Sequence, residues 1–242
     1  MRTRRRINLW SSPRNISTAL MYAFAQRGDT TVVDEPLYAH YLTHQPTEAH
    51  HPGREAVLAA QENDGAKVVD TLREHDYGTE NVVFKQMTHH LVNLEPDFLY
   101  PMTNVLLIRD PHEILASFGK VIERGVTAED VGLPQQGELF NRLTVTGSLS
   151  AVVDAGRLLD DPAGVIERLC RRLDIDYDPA MLQWEAGPKP YDGVWAEHWY
   201  AGVHQSTGFE PRPRKVIELS PALAAVADQC SPIYQRLLKH AL

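Results

Sequence analysis

The chain has 242 residues, 43% of them hydrophobic and 23% charged, an ordinary balance that supplies a packed core and excludes a disordered protein. Its 24 basic and 32 acidic residues leave a formal charge of −8, so it repels nucleic acid and anionic membrane surfaces as a whole. Any anion it binds must therefore meet a local positive site. Two cysteines, Cys170 and Cys230, cannot build a disulfide scaffold or a multi-thiolate zinc site. The apolar stretches are too short to span a bilayer, and the basic start MRTRRR runs into INLWSSPRN where a signal peptide would carry its apolar segment. The expectation is one cytoplasmic domain over residues 1–242, with no nucleic-acid or membrane partner and an oligomeric state that the sequence leaves open.

Ile7–Trp10 reads as a strand that enters a polar turn, after which Ile16, Ala19, Leu20, Ala23 and Phe24 fall at helical spacing. Thr30–Val33 reads as a second strand ending at Asp34-Glu35-Pro36. The stretch 37–53, rich in His, Tyr and Pro, has no clear period, and a helix is expected from Gly53. Asn81–Lys85 and Asn104–Ile108 are further strands, and Ala151–Val153 is a fifth, weaker one. After the fourth strand, Asp110, Pro111 and Glu113 spell a capping box with proline in the first helical position. Pro162–Leu173 is amphipathic, and the chain from Ser220 onward reads as helix. Short apolar strands alternating with helices predict an α/β fold. It is a three-layer sandwich around a central, mainly parallel five-stranded sheet. Such sheets bind ligands beyond the carboxyl ends of their strands, so the chemistry is expected just after these runs.

The first strand is followed by Ser11-Ser12-Pro13-Arg14-Asn15-Ile16-Ser17-Thr18. A strand, a tight polar loop and a helix N-terminus make an anion site from free backbone N–H groups, with Arg14 adding a charged fork and Ser17 and Thr18 adding hydroxyls. The plainer alternative is that Asn15 or Ser12 only caps the helix. The loop lacks G-x-x-x-x-G-K-[ST], which disfavours an ordinary nucleotide triphosphatase. Beyond the fourth strand, Arg109 leaves the strand end and Ser117 lies about two turns into the next helix, so both can approach one phosphate. The alternative for these two is a local Arg109–Asp110 pair and a small serine tolerated in a helix.

SSPRNISTAL and IRDPHEILASF together resemble the two donor-binding motifs of sulfotransferases that use 3′-phosphoadenosine 5′-phosphosulfate. Pro13, Arg14, Ser17 and Thr18 match the family's first loop, where the usual Ser-Gly is here Asn15-Ile16. Arg109, Pro111 and Ser117 match the second motif without gaps, and SAVVDAGRLLDDPAGVIERLCRRLDIDYDPAML is similar to a later strand and helix of the family. The resemblance implies a P-loop-like sulfotransferase fold and a 5′-phosphosulfate held by Arg14, Asn15, Ile16, Ser17 and Thr18. It also implies a 3′-phosphate held by Arg109 and Ser117, and a small-molecule acceptor. It is strongest to bacterial members, some of which carry labels suggesting a branched-chain aminotransferase; no residues here support pyridoxal phosphate chemistry.

Sulfuryl transfer needs in-line positioning, charge stabilisation at the leaving oxygen, and a base for the acceptor proton. Arg14 is the first candidate for the charge, and Lys85 at the end of the third strand is the second, with a snorkelling surface lysine as its alternative. Glu35 is the first candidate base and His89 or His90 the second, whereas Asp34 reads as a cap or a pairing partner. Late in the chain, Trp195–Tyr200 and the basic Arg212, Arg214 and Lys215 read either as a flexible segment that closes over the adenine and 3′-phosphate or as a solvated charge cluster. His40 and His44, with Glu48, His50 and His51 nearby, give no complete metal-ligand set beside Pro46 and Pro52, so no metal is expected. A noncatalytic nucleotide-binding protein and a phosphotransferase of related fold are the rival functions.

Overall fold

In the computed structural model, which describes residues 4–46, 51–118, 125–210 and 217–242, each of the five apolar runs is a strand. In chain order the elements begin β1 (Arg5–Ser11), α1 (Ser17–Ala25), β2 (Thr30–Asp34), α2 (Tyr38–Thr43), α3 (Arg54–Ala60) and α4 (Gly65–Glu74). They continue with β3 (Asn81–Met87), β4 (Thr103–Ile108), α5 (Pro111–Phe118), α6 (Ala128–Val131), α7 (Leu133–Val145) and β5 (Leu149–Asp154). The rest is α8 (Ala155–Asp160), α9 (Pro162–Arg172), α10 (Ala196–Trp199), α11 (Ala201–His204) and α12 (Pro221–Leu238). The aperiodic stretch after β2 thus holds a short helix, α2, that the sequence pattern did not disclose.

The sheet order is β2-β3-β1-β4-β5, and every pairing is parallel. Trp10, Phe84, Leu106 and Val152 pack on one face beneath α4, α5, α7 and α12. Leu9, Val83, Val105, Leu107 and Val153 pack on the other beneath α1 and α9. A strand buried on both faces has no polar side to alternate with, which is why these strands read as continuous apolar runs. Each buried Leu, Val or Phe contributes roughly 1.5–3 kcal/mol of transfer free energy. The helix after β1 covers one face and the helix after β4 the other, so the carboxyl ends of these neighbouring strands open into a crevice at a topological switch point.

Helix entries follow the sequence with one correction. Asp161 accepts from the backbone of Gly164 ahead of Pro162, and Ser220 accepts from Leu223 ahead of Pro221. Asp110 likewise accepts from His112 N at 2.8 Å, but Glu113 does not close a capping box; it accepts from Arg109 Nε at 2.8 Å. A guanidinium four residues earlier is a stronger partner for a carboxylate than a backbone amide.

Candidate active site

Arg14, Arg109 and Ser117 gather in one cluster at the carboxyl edge of the sheet, and Glu35, Lys85 and His90 in a second. The first lies in the crevice between β1 and β4. Arg109 Nη1 donates to the backbone oxygen of Arg14 at 2.9 Å, and Arg14 Nε donates to Ser117 Oγ at 2.9 Å. Two motifs about a hundred residues apart are therefore interlocked. Arg14 sits at φ 54°, in the left-handed region, which costs a non-glycine residue on the order of 1–3 kcal/mol and is held here by tertiary contacts. Asn15 donates to Leu107 O at 3.0 Å and accepts from Ile16 N at 2.8 Å, so it ties the loop to β4. Helix α1 begins with no side-chain cap, contrary to the plainer reading of Asn15 or Ser12.

Ile16 has φ −95°, so its position asks for no glycine, and the left-handed position of the loop falls on Arg14. Ser17 is buried in the first turn of α1 and Thr18 is half-buried. Ser12 Oγ is buried with no hydrogen-bond partner among the described residues. An uncapped helix start, a buried orphan hydroxyl and two arginines form a donor set suited to phosphate-like anions. Gly132, at φ 78°, supports the loop from behind, since a Cβ there would come within 3.2 Å of Pro13 and 3.3 Å of Ser12.

The second cluster lies at the ends of β2 and β3. Lys85 stands level with Asp34 in the sheet register, and its side chain is 0% exposed, which rules out the snorkelling alternative. Its ammonium donates to Asp34 Oδ1 at 2.9 Å, to Tyr200 Oη at 2.7 Å, and to Glu35 Oε1. Adjacent residues of a strand face opposite sides, yet both carboxylates reach one lysine. The reason is the left-handed φ of 38° at Glu35, which turns the chain where β2 ends. Asp34 Oδ2 also accepts from Tyr200 Oη at 2.7 Å and from Gly193 N at 3.0 Å, and Tyr200 Oη accepts from Trp195 Nε1 at 3.1 Å. The second oxygen of Glu35 lies 4.0 Å from His90 Nε2, and the His90 ring stacks on Tyr38 and Tyr41 at 4.9 and 4.7 Å. His90 Nδ1 is buried and without a hydrogen-bond partner among the described residues, and His89 packs edge-on beside it.

The electrostatics follow from this burial. Desolvation pulls Lys85 toward its neutral form, but the charges of Asp34 and Glu35 outweigh it and hold the ammonium well above the ordinary lysine value. Burial pushes Glu35 above the usual carboxylate value; Lys85 opposes that shift and Asp34 reinforces it. Burial lowers His90 well below the ordinary histidine value, with His89 and Lys85 adding to the effect. Burial likewise brings part-exposed His89 down to about 4. Both imidazoles are thus neutral near pH 7.

At Trp195 and Tyr200 the late aromatic segment is neither the flexible closing segment nor the solvated charge cluster that the sequence left open. Trp195 and Tyr200 are buried with Tyr38, Leu42 and Val57, against Asp34 and Lys85. Arg212, Arg214 and Lys215, and likewise Glu48 and His50, lie outside the described residues. His40 Nε2 pairs with Val92 O at 2.8 Å and His44 Nδ1 with His40 O at 2.9 Å, so each ring has a backbone partner. Sequence reasoning missed Tyr200 and Gly193 as partners of Asp34, and Gly132 as the support of the Arg14 loop. No local pattern marks them, since each acts across more than a hundred residues of chain.

A family model described as "Sulfotransferase domain" matches residues 5–227. Branched-chain-amino-acid aminotransferase-like protein 2 of Arabidopsis thaliana is 37% identical over 239 residues, covering 97% of this chain and 41% of that protein. The chain thus spans about two-fifths of the length of the curated relatives it matches. The sulfotransferase domain of the Synechococcus PCC 7002 olefin synthase superposes with a TM-score of 0.58 at 18% identity, over 95% of both chains. Mouse sulfotransferase SULT7A1 complexed with PAP does so with a TM-score of 0.56 at 10% identity, over 97% of this chain and 88% of that one. At such identities the likeness is one of fold.

Proposed function

This chain belongs to the sulfotransferase domain family, and we propose that it moves a sulfuryl group from 3′-phosphoadenosine 5′-phosphosulfate to a hydroxyl or amine of a small-molecule acceptor. The observation that carries the reading is the interlock of Arg14, Arg109 and Ser117 in the switch-point crevice, beside an uncapped helix start. In this reading the loop from Arg14 to Thr18 holds the 5′-phosphosulfate through backbone N–H groups, hydroxyls and the Arg14 guanidinium, and Arg109 with Ser117 holds the 3′-phosphate. The bond between sulfur and the 5′-phosphate oxygen breaks as the acceptor oxygen or nitrogen bonds to sulfur, and the acceptor proton passes to a base. Arg14 stabilises the charge that grows on the leaving phosphate oxygen.

Glu35 is the base this reading favours. Asp34 accepts from Lys85, Tyr200 and Gly193, whereas Glu35 meets Lys85 through one oxygen and turns the other toward the neutral His90, whose Nε2 lies 4.0 Å away. A buried carboxyl raised above its ordinary value also has a proton affinity better matched to accepting a proton near neutral pH. His90, neutral and with a buried unpartnered Nδ1, is the second candidate.

Calorimetric titration with 3′-phosphoadenosine 5′-phosphate, beside ATP, tests the donor half of this reading. The expected result is preference for the 3′-phosphorylated nucleotide and a loss of at least about tenfold in affinity on Arg109→Ala, in line with a charge-assisted hydrogen bond of roughly 1.5–3 kcal/mol. Equal binding of ATP, or an unaffected Arg109→Ala variant, overturns it.

A further inference from the structure

We propose that Lys85, Asp34 and Tyr200 form a buried positioning clamp that orients Glu35 and sets its proton affinity, and that Lys85 does not act on the phosphosulfate. The inference rests on the sulfotransferase reading for what Glu35 does, and on geometry for everything else. A lysine ammonium has three N–H donors and no other polar capacity. In this cluster the three are directed at three oxygens, from Asp34, Glu35 and Tyr200, and the side chain has no exposed surface. To touch a phosphate, Lys85 would have to abandon one of these partners and leave a buried oxygen unsatisfied.

Tyr200 is matched in the same way. Its hydroxyl has one donor and two lone pairs. It donates to Asp34, and it accepts from Lys85 Nζ and Trp195 Nε1. Asp34 closes the set through Gly193 N. The member with acceptor capacity to spare is Glu35, and its backbone is pinned as well: Glu35 N donates to Lys85 O at 2.9 Å, while Glu35 O accepts from Tyr38 N at 3.0 Å and from the Gln61 side chain at 3.1 Å. A left-handed backbone fastened at both of its polar groups holds the carboxylate in one direction.

The charged and titratable groups that face Glu35 come from five places: Asp34 beside it on β2, Lys85 from β3, His90 from the turn after β3, Tyr38 from α2, and Tyr200 from the junction of α10 and α11. The ammonium favours the carboxylate form and Asp34 opposes it, so removing one or the other moves Glu35 in opposite directions. A residue that merely fills space would not produce that pair of signs.

The test follows the Glu35 carboxyl directly, by carbon-13 NMR titration of side-chain-labelled glutamate in the whole chain. The Glu35 signal is assigned by its loss in Glu35→Gln. Lys85→Met is expected to raise the titration midpoint by one pH unit or more, and Asp34→Asn to lower it. Tyr200→Phe, which keeps the ring and is the milder change if Lys85→Met fails to fold, is expected to move it by a few tenths. Binding of 3′-phosphoadenosine 5′-phosphate is expected to stay within about twofold of wild type in each folded variant. An unmoved Glu35 midpoint overturns the clamp. So does a tenfold loss of nucleotide affinity in folded Lys85→Met or Tyr200→Phe. Failure of the wild-type chain to bind the nucleotide defeats the sulfotransferase reading instead, and leaves the Glu35 titration to decide the clamp on its own.

Discussion

The two clusters at the edge of the sheet differ in how they are built. The Arg14–Arg109–Ser117 crevice is made of cations and uncapped backbone, joins two short motifs about a hundred residues apart, and links them through part-buried hydrogen bonds. The Lys85 cluster is buried throughout and sets one ammonium against two carboxylates and a tyrosine contributed by distant segments. The first is prepared to receive charge from outside. The second is saturated from within, apart from one side of Glu35 and the Nδ1 of His90. The proposed roles call for these opposite environments, because a site for the donor must attract a charged ligand and a base must keep its proton affinity away from the value it would have in water.

Removing a charge separates the clusters most sharply. Lys85→Met leaves Asp34 and Glu35 buried without their counter-ion and is expected to lower stability by roughly 3–5 kcal/mol in urea unfolding, as for other broken buried pairs. A loss below about 1 kcal/mol would show that the cluster is not the tightly packed unit described above.

Acid provides a second, smaller contrast. His89 and His90 are held below the ordinary histidine value in the folded chain, so the unfolded chain takes up their protons first as pH falls. Their stabilisation is complete above about pH 6.5 and is lost as pH drops toward their native values. Glu35 works against this trend, because a raised carboxyl favours the native state once protonated. The melting temperature is expected to fall between pH 7 and pH 5, and His89→Gln is expected to flatten that fall. An identical pH profile in the variant would remove the histidines from the account.

The smallest expected effect belongs to the crevice. Ser117→Ala removes one hydroxyl facing the Arg14 guanidinium and is expected to weaken 3′-phosphoadenosine 5′-phosphate binding by about 0.5–1.5 kcal/mol, roughly twofold to twelvefold, with the melting temperature nearly unchanged. If stability falls as far as it does in Lys85→Met, the crevice is structural and the contrast between the clusters collapses.

How much could be read beforehand divides along the same line. The Arg14 loop and Arg109 were legible because each is a short run directly after an apolar strand, and the sheet guarantees that strand ends converge. Lys85 and Glu35 were legible as candidates for the same reason. Their relationship was not, because it depends on a left-handed φ at Glu35 and on Tyr200 reaching back more than a hundred residues. The segment from Trp195 to Tyr200 read either as a flexible closing segment or as a solvated charge cluster; the burial of Trp195 and Tyr200 comes from contacts with Tyr38 and Asp34.

From the amino-acid order alone came the five strands, their parallel arrangement, the α/β class and the family resemblance. All of these rest on local periodicity, helix entry residues and contiguous motifs, which act over a few residues at a time. Only the tertiary structure decided which polar groups are satisfied: Asn15 joined to β4 and not to its own helix, Glu113 turned to Arg109, and Lys85 closed off by three oxygens. Hydrogen-bond capacity is local to a residue, but the partner that meets it is set by the packing of the whole chain, and a sequence states the first without the second.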